Sequence, residues 1–370
     1  MPSFKKSDKM PFNPNKPYNQ LPLIPPKEDV ETRAILKKTI LANRSLAKLV
    51  GSAGKLPNQS MLINSISLQE AKMSSEIENI VTTNDDLYQA LSSQKKNTDH
   101  ATNEVLHYQD ALWQGYNAVR KKGIMTTNLF IELMNTIKQN KSGIRSTPCT
   151  TIANSVKGEV IYTPPEGEQV ISRKLKNLET YINLNDEETD PLIKMAVIHY
   201  QFEAIHPFID GNGRTGRIIN ILYLVQNGLL ELPILYLSKY IIEHKGDYYK
   251  KLRAVTEGEQ WEDWILYMLE AIEQTASYTQ NKIDTIIGLM DETGKQMRKK
   301  LPDIYSKELV ETIFKQPYCK RQFLTDAGIV QLKTAGNYLI QLEKAGILKS
   351  ETVGKEKLYL NKHLIEVLKS

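Results

Sequence analysis

A chain of 370 residues with 41% hydrophobic side chains is long enough for two or three domains with sizeable cores, and a net charge of +5 is too small at this size to mark a nucleic-acid binder by itself. Its two cysteines, Cys149 and Cys319, lie far apart without metal-site spacing, which excludes a disulfide framework and predicts reduced thiols in a cytoplasmic protein. No apolar run approaches about 18 residues and the N-terminus lacks a hydrophobic signal core, so neither membrane insertion nor secretion is expected.

Residues 1–30 carry Lys5, Lys6, Lys9 and Lys16 and prolines at 2, 11, 14, 17, 22, 25 and 26, which predicts an extended arm laid along the domain surface rather than a helix. From Glu31 to Val50 the apolar positions Ile35, Ile40, Leu41, Leu46 and Leu49 predict a helix ending at Gly51. Ser67-Leu68-Gln69-Glu70 reads as a capping box opening a helix through Asn79, on which Ser74 and Glu78, four apart, share a face. Taken alone, that face is a solvated helix surface. Residues 85–140 read as further helices, with Leu87, Leu91, Val105, Leu106, Ala111 and Leu112 inward and Lys95 to Thr98 as a solvated break. Thr150 to Ala153 and Val160-Ile161-Tyr162-Thr163, joined by a turn near Lys157-Gly158 and ended by Pro164-Pro165, predict a short β-hairpin. Such a hairpin is marginal alone and must rest on the helical body.

The chemistry is concentrated in 206–217. Asp190-Pro191 opens a helical run with Asp as N-cap and Pro at the first helical position, and Leu192, Met195, Ala196, His199 and Phe202 follow at helical spacing. Ile218, Ile219, Leu222 and Val225 continue the period as far as Asn227-Gly228. His206 to Arg217 is therefore a loop running into the first turn of a second helix. Gly211, Gly213 and Gly216 let the main chain approach a ligand, and the unpaired N–H groups of the helix start favour phosphate. Arg214 and Arg217, three apart, reach one polyphosphate with forked hydrogen bonds. Asp210 is a hard oxygen donor suited to a Mg2+ that keeps most of its water and bridges carboxylate to phosphate. His206 is the loop's base, with an ordinary pKa of about 6.5. Convergence of His, Asp, Asn and two Arg at a helix start outweighs the reading of a simple turn between helices.

The loop His206-Pro207-Phe208-Ile209-Asp210-Gly211-Asn212-Gly213-Arg214-Thr215-Gly216-Arg217 resembles the Fic-domain signature His-Pro-Phe-x-Asp/Glu-Gly-Asn-Gly-Arg-x-x-Arg at each of its fixed positions. The resemblance implies a mainly α fold, a Fic helical core with a short β-hairpin flap, and transfer of AMP from ATP to a Ser, Thr or Tyr hydroxyl of a target protein or of the chain itself. It implies His206 as general base, Phe208 as core anchor and Asp210 as the Mg2+ ligand. Asn212, Gly213 and Arg214 would cradle the α and β phosphates, with Arg217 on the γ-phosphate. Gly213 stands where the Doc-like kinases of the superfamily carry Lys, which favours AMP transfer over phosphate transfer. The ATP site as a whole would span Asp210, Gly211, Asn212, Gly213, Arg214, Thr215, Gly216 and Arg217, with Tyr248 and Tyr249 sandwiching adenine and Thr256 standing where some relatives have Asn. Ser74, Glu78 and Asn79 match the family's inhibitory pattern Ser/Thr-x-x-x-Glu-Gly/Asn, which implies that Glu78 holds Arg217. The hairpin resembles the Fic flap, whose edge pairs with an extended target segment, here along Val160, Ile161, Tyr162 and Thr163.

Trp261, Trp264 and Leu269 close the core, and a moderately polar helix from Tyr278 to Lys300 links it to a tail. In the tail, Leu309 to Phe314, Cys319 to Ala327 and Val330 to Ala345 predict three helices, and Leu348 to Thr352 with Lys357 to Leu360 a hairpin about Gly354-Lys355. The set resembles a C-terminal winged helix-turn-helix. The organisation expected is an arm and inhibitory region over 1–115, a Fic core over 116–276, a linking helix over 277–300 and a winged-helix-like domain over 301–370. Lys333, Asn337, Lys349, Lys355 and Lys357 suit a DNA backbone, while Glu343, Glu351 and Glu356 mix the charge. Two functions follow: a protein adenylyltransferase held in check by Glu78, or a nucleotide-sensing transcriptional regulator acting through the tail. A homodimer is compatible with either, and the target protein is not specified.

Overall fold

The computed structural model describes residues 12–56, 59–92, 98–148, 150–153, 158–184, 188–353 and 356–369. Helices dominate: α1 (Arg33–Ala53), α2 (Ser60–Ile77), α3 (Asn84–Ser92), α4 (His100–Lys122) and α5 (Thr127–Lys138) precede a small hairpin, β1 (Ile152–Ala153) and β2 (Val160–Tyr162). Then follow α6 (Glu168–Asn183), α7 (Pro191–Ile205), α8 (Asn212–Gln226), α9 (Leu237–Glu243), α10 (Lys245–Gly258) and α11 (Trp261–Lys300). The tail holds α12 (Lys307–Phe314), β3 (Tyr318–Cys319), α13 (Arg321–Asp326), α14 (Leu332–Lys344), β4 (Lys349–Val353), β5 (Glu356–Leu360) and α15 (Lys362–Lys369). Among the described residues no helix is long and apolar enough to cross a membrane. Cys319 is a free, buried thiol, and Cys149 lies outside the described residues.

α7 and α8 form the centre. Both are buried on nearly every side, as expected of helices that are apolar around their whole circumference. α7 begins as its sequence predicts: Asp190 accepts a hydrogen bond from the Leu192 N–H at 2.8 Å, and Pro191 occupies the first turn, where its missing N–H costs nothing. α4 crosses α8 at Gly115, where an added Cβ would lie 2.5 Å from Leu222 Cδ1, so only glycine permits that approach. α1 lies along α11, tied there by Lys38 to Glu270 and Glu273.

The arm is laid on the body, as expected. Lys174 donates to Leu21 O at 2.6 Å, Gln201 to Pro22 O at 2.9 Å and Asn177 to Ile24 O at 2.8 Å. The hairpin is antiparallel, pairing Ile152 with Tyr162 and Ala153 with Val160. Part of its turn, including Lys157, lies outside the described residues, as do Lys95 to Asn97 of the expected break after α3.

Three expectations are corrected. The capping box at Ser67 does not open a helix. α2 starts at Ser60, Ser67 and Glu70 are buried in its interior, and Glu70 accepts from the Ser238 N–H at 3.0 Å. A Ser and a Glu three apart also share a helix face, and here that face is packed. α1 runs on to Ala53 and is capped at Gly54. The linking helix is the second half of α11, a single helix of 40 residues, because neither Gly nor Pro interrupts the chain between Trp261 and Gly288.

In the tail the three expected helices appear, but Cys319 belongs to a strand. β3, β5 and β4 form one antiparallel sheet in that order, and Leu360 sits opposite both Tyr318 and Lys349. The turn at Gly354-Lys355 lies outside the described residues.

Candidate active site

α7 ends at His206, whose backbone is left-handed (φ 48°, ψ 60°) and whose N–H donates to Phe202 O at 3.0 Å. A non-glycine residue in that region costs about 1–3 kcal/mol and persists only when its surroundings hold it. They do so here. Arg145 donates from Nε to His206 O at 2.7 Å and from Nη2 to Pro165 O, while its N–H donates to Pro207 O at 2.9 Å. Phe208 is buried against Phe202. Asn212 closes the loop from the other side, its side chain accepting from Phe208 N–H and donating to Phe208 O, each at 2.8 Å. That side chain is committed to the turn rather than to a ligand.

Gly211 has φ 83° and starts α8, a conformation that only glycine adopts without strain. A Cβ on Gly213 would collide with Glu78 Oε1 and come within 2.9 Å of Arg217 Nη1, and one on Gly216 would lie 2.5 Å from Glu203 Oε1. Thr215 is fully buried, with its hydroxyl unbonded among the described residues.

Arg217 is almost inaccessible, at 1% exposure. It donates from Nε to Ser74 Oγ at 2.7 Å and from Nη2 to Ser74 O at 2.8 Å and to Glu78 Oε1 at 2.9 Å. Burial pushes the Glu78 carboxyl up, but the charge and hydrogen bond of Arg217 outweigh it and hold the group below its usual range. Asn79 ends the segment with φ 63° and lines the same space as Glu78. Ser74 and Glu78 of the sequence pattern thus meet Arg217 across a gap of some 140 residues, while Asn79 makes the turn that follows them.

Arg214 faces the other way. Its Nη1 is 2.5 Å from Glu104 Oε2, and Lys138 bridges Glu104 at 3.0 Å and Asp210 at 2.7 Å. Burial raises the Asp210 carboxyl, yet Lys138, the Gly211 N–H and Arg214 together keep it lowered. Asp210 is therefore an ionised, largely exposed oxygen donor at the loop's mouth. One such carboxylate suits a Mg2+ that draws its remaining ligands from phosphate and water, and among the described residues no group of three or more His, Cys, Asp or Glu forms a metal cage.

His206, Glu203, Glu78, Gly213 and Arg217 line one cavity of about 690 Å³, which is roofed by Thr151 to Ala153, Ile161 and Tyr162 of the hairpin. That volume lies in the ordinary range of small-molecule sites, roughly 300–1,000 Å³. Burial, then the charge of Arg145, pushes the His206 imidazole down to about 4, so the ordinary value expected from the sequence does not hold and the ring is neutral at pH 7.

The tyrosine pair departs from the expected sandwich. Tyr248 is buried, its hydroxyl 2.9 Å from His199 Nε2, and Tyr249 is 46% exposed. Their rings meet edge to face at 78°, because consecutive helix residues point about 100° apart, so they cannot stack on opposite sides of one base. Both still line the cavity, as does Thr256, which pairs with the Tyr200 hydroxyl at 3.0 Å. Of the flap residues, Ile161 and Tyr162 face the cavity, Val160 pairs with Ala153, and Thr163 turns to the arm, donating to Pro14 O at 2.6 Å. Tyr162 donates to Ala204 O at 2.7 Å and stacks on Phe12, which also lines the cavity.

Sequence reasoning did not reach Glu104, Lys138, Arg145 or Glu203. Glu104 had one readable sign: with Tyr108, Ala111, Gly115 and Val119 it falls on the buried stripe of α4, where an unpaired carboxylate would be costly.

The Fic/DOC family model matches residues 102–224, the Fic/DOC family N-terminal model matches 36–117, and a model described as the C-terminal domain of SoFic-like protein adenylyltransferases matches 289–364. A probable protein adenylyltransferase of Aquifex aeolicus is 47% identical over 66 residues, 17% of this chain and 21% of that protein. Protein adenylyltransferase fic-1 of Caenorhabditis elegans is 30% identical over 132 residues, 35% of this chain and 23% of that protein. The match thus spans less than a quarter of either relative. In fold, a Fic family protein from Desulfovibrio desulfuricans superposes over 91% of this chain and 98% of that one, with a TM-score of 0.56 at 17% identity. Fic-1 from C. elegans follows at 0.51 and 20%, over 70% of this chain and 74% of that one. The helical body with its hairpin, the His206 to Arg217 loop and the matching models agree: residues 36–224 of the chain carry the N-terminal and catalytic domains of the Fic/DOC family.

Proposed function

We propose that the chain is a protein adenylyltransferase, transferring AMP from ATP to a Ser, Thr or Tyr hydroxyl of a target protein or of itself, and that Glu78 holds it in check. The observation that carries this reading is the convergence of His206, the Gly213 helix start, Arg217 and Glu78 on one cavity beneath the hairpin. The curated relatives bear the same activity in their names. In the reaction, the target oxygen attacks the α-phosphorus of ATP, the bond to the β-phosphate oxygen breaks, and pyrophosphate leaves. His206 Nε2 or Nδ1 takes the hydroxyl proton. Its neutral state leaves it able to accept one, and an anionic triphosphate beside it would raise its basicity. The N–H groups at the start of α8 would hold the phosphates without reorganising, which is how charge forming in a transition state is best stabilised, and the guanidinium of Arg214 would join them on release from Glu104. Asp210 would hold Mg2+, which neutralises phosphate charge when bound. An extended target segment would lie along the hairpin by strand addition.

Arg217 is the residue withheld. While it donates to Ser74 and Glu78 it cannot fork onto a γ-phosphate, and Glu78 Oε1 lies where a phosphate beside Gly213 would sit. Glu78→Gly is expected to raise incorporation of label from α-labelled ATP about 10- to 100-fold, equivalent to about 1.4–2.7 kcal/mol. On that background, label from γ-labelled ATP should not appear in protein. Incorporation from γ-labelled ATP would instead establish a kinase, and an unchanged α-label signal would reject inhibition by Glu78.

A further inference from the structure

The cavity is lined both by Gly213, His206 and Arg217, which suit an anion, and by apolar groups of Ile77, Tyr248 and Leu252. Glu203 shares that lining. It stands one turn before His206 on α7, its Oε1 presses on Gly216 of α8, and its charge is felt at the hydroxyls of Tyr248 and Tyr249. The acidic side chains on the cavity wall, among the described residues, are Glu78 and Glu203. Glu78 is taken by Arg217, whereas Glu203 Oε1 is buried without a hydrogen-bond partner among the described residues. A buried carboxylate oxygen left unbonded is costly, and native sites keep such groups where a ligand completes them.

The transfer reaction set out above gives Glu203 no part. A phosphate would be repelled by it, so the group it suits is a neutral donor, and on a nucleotide those are the ribose hydroxyls and the exocyclic amine of the base. We propose that Glu203 is a nucleoside-contacting residue, whose carboxylate accepts a hydrogen bond from a ribose hydroxyl or from the exocyclic amine of adenine and so selects the nucleotide. A site built to pair with a polar group discriminates strongly against analogues lacking it, because its own buried acceptor is then left bare. Burial holds the carboxyl up at about 7, so selection of this kind sharpens as the pH rises past neutrality and the group ionises fully.

This inference rests on the nucleotide reading above, and the test separates the two. Calorimetric binding constants are measured at about pH 8 on full-length Glu78→Gly protein for ATP, 2′-deoxy-ATP, 3′-deoxy-ATP and inosine triphosphate, with Glu203 intact and as Glu203→Ala and Glu203→Gln. With Glu203 intact, ATP should bind about 10-fold or more tightly than the one analogue missing the contacted donor, from the worth of a charge-assisted hydrogen bond. Glu203→Ala should erase that difference and leave the deficient analogue unaffected, and which analogue behaves so identifies the donor. Glu203→Gln keeps the shape, and carries the test should the alanine variant lose its thermal transition. Equal loss for all four nucleotides, or no change for any, overturns the proposal while leaving AMP transfer standing. Failure of the Glu203-intact protein to bind any nucleotide overturns both.

Discussion

His206 sits in a pocket that favours its neutral form, and this sets what its removal and its titration should look like. Loss of a positioned base is worth about 100- to 10,000-fold, so His206→Ala should reduce AMP incorporation by that much while calorimetric ATP affinity stays within a few fold. Burial and Arg145 place the imidazole at about 4 in the free protein, so protonation sets in only as the pH falls toward that value. The acid limb of kcat/KM, which reports the free enzyme, is therefore expected below the ordinary histidine value of about 6.5. It should be measured on Glu203→Gln, where the neighbouring carboxyl at about 7 no longer contributes. A limb at or above 6.5 on that background would place the proton elsewhere. At this scale the sequence is legible where chemistry is local. His206, Asp210, Arg214 and Arg217 share one loop and helix start, and Ser74, Glu78 and Asn79 share one helix end. Glu104, Arg145 and Glu203 gain their meaning from groups on other elements, through a bridge to Lys138, hydrogen bonds to three carbonyl oxygens, and contact with Gly216. No spacing along the chain announces such partners.

Helix α2 shows why an element's role is harder to read than its existence. Its helical pattern is plain, but the Ser67 and Glu70 that look like a start signal are interior, and Glu70 anchors the helix to the beginning of α9 through the Ser238 N–H and hydroxyl and to the Tyr108 hydroxyl. Burial raises this carboxyl to about 7. Glu70→Ala would leave the Ser238 N–H and hydroxyl without their acceptor, at about 1–3 kcal/mol. A lowered thermal midpoint is expected, and with it more basal AMP incorporation, since Glu78 is carried two turns further along the same helix. A variant with the lowered midpoint but parental incorporation would show that the anchor and the inhibitory contact are separate. The hairpin and arm were legible as elements, yet their mutual packing, Phe12 on Tyr162 and Thr163 on Pro14, is long-range and left no local trace.

Across the whole molecule, the tail is joined to the core by more than the chain between them. Lys282 of α11 donates to Leu368 O of α15 at 3.2 Å beneath Tyr278, Ser92 of α3 donates to Tyr318 O, and Lys369 pairs with Asp85 at 3.2 Å. The exposed α14 residues Lys333 and Asn337 are available to a phosphate backbone, but Lys357 is paired with Glu343 and Lys320 with Glu356, so the basic face is partly neutralised. Affinity for duplex DNA is accordingly expected to be weak and to fall steeply between 50 and 200 mM salt, roughly one decade per decade of salt for each phosphate contacted. A titration of labelled duplex against the full chain checks it, and absence of binding at low salt would leave protein docking as the tail's use.

α15 also packs on α2. At about 1.5 Å per residue, the 40-residue α11 is a strut of about 60 Å, reaching from Trp264 beside Tyr248 to the root of the tail. The end of α2 carries the Ser74 and Glu78 that grip Arg217, so prising α15 from its seat on that helix is expected to loosen the grip from the far end of the chain.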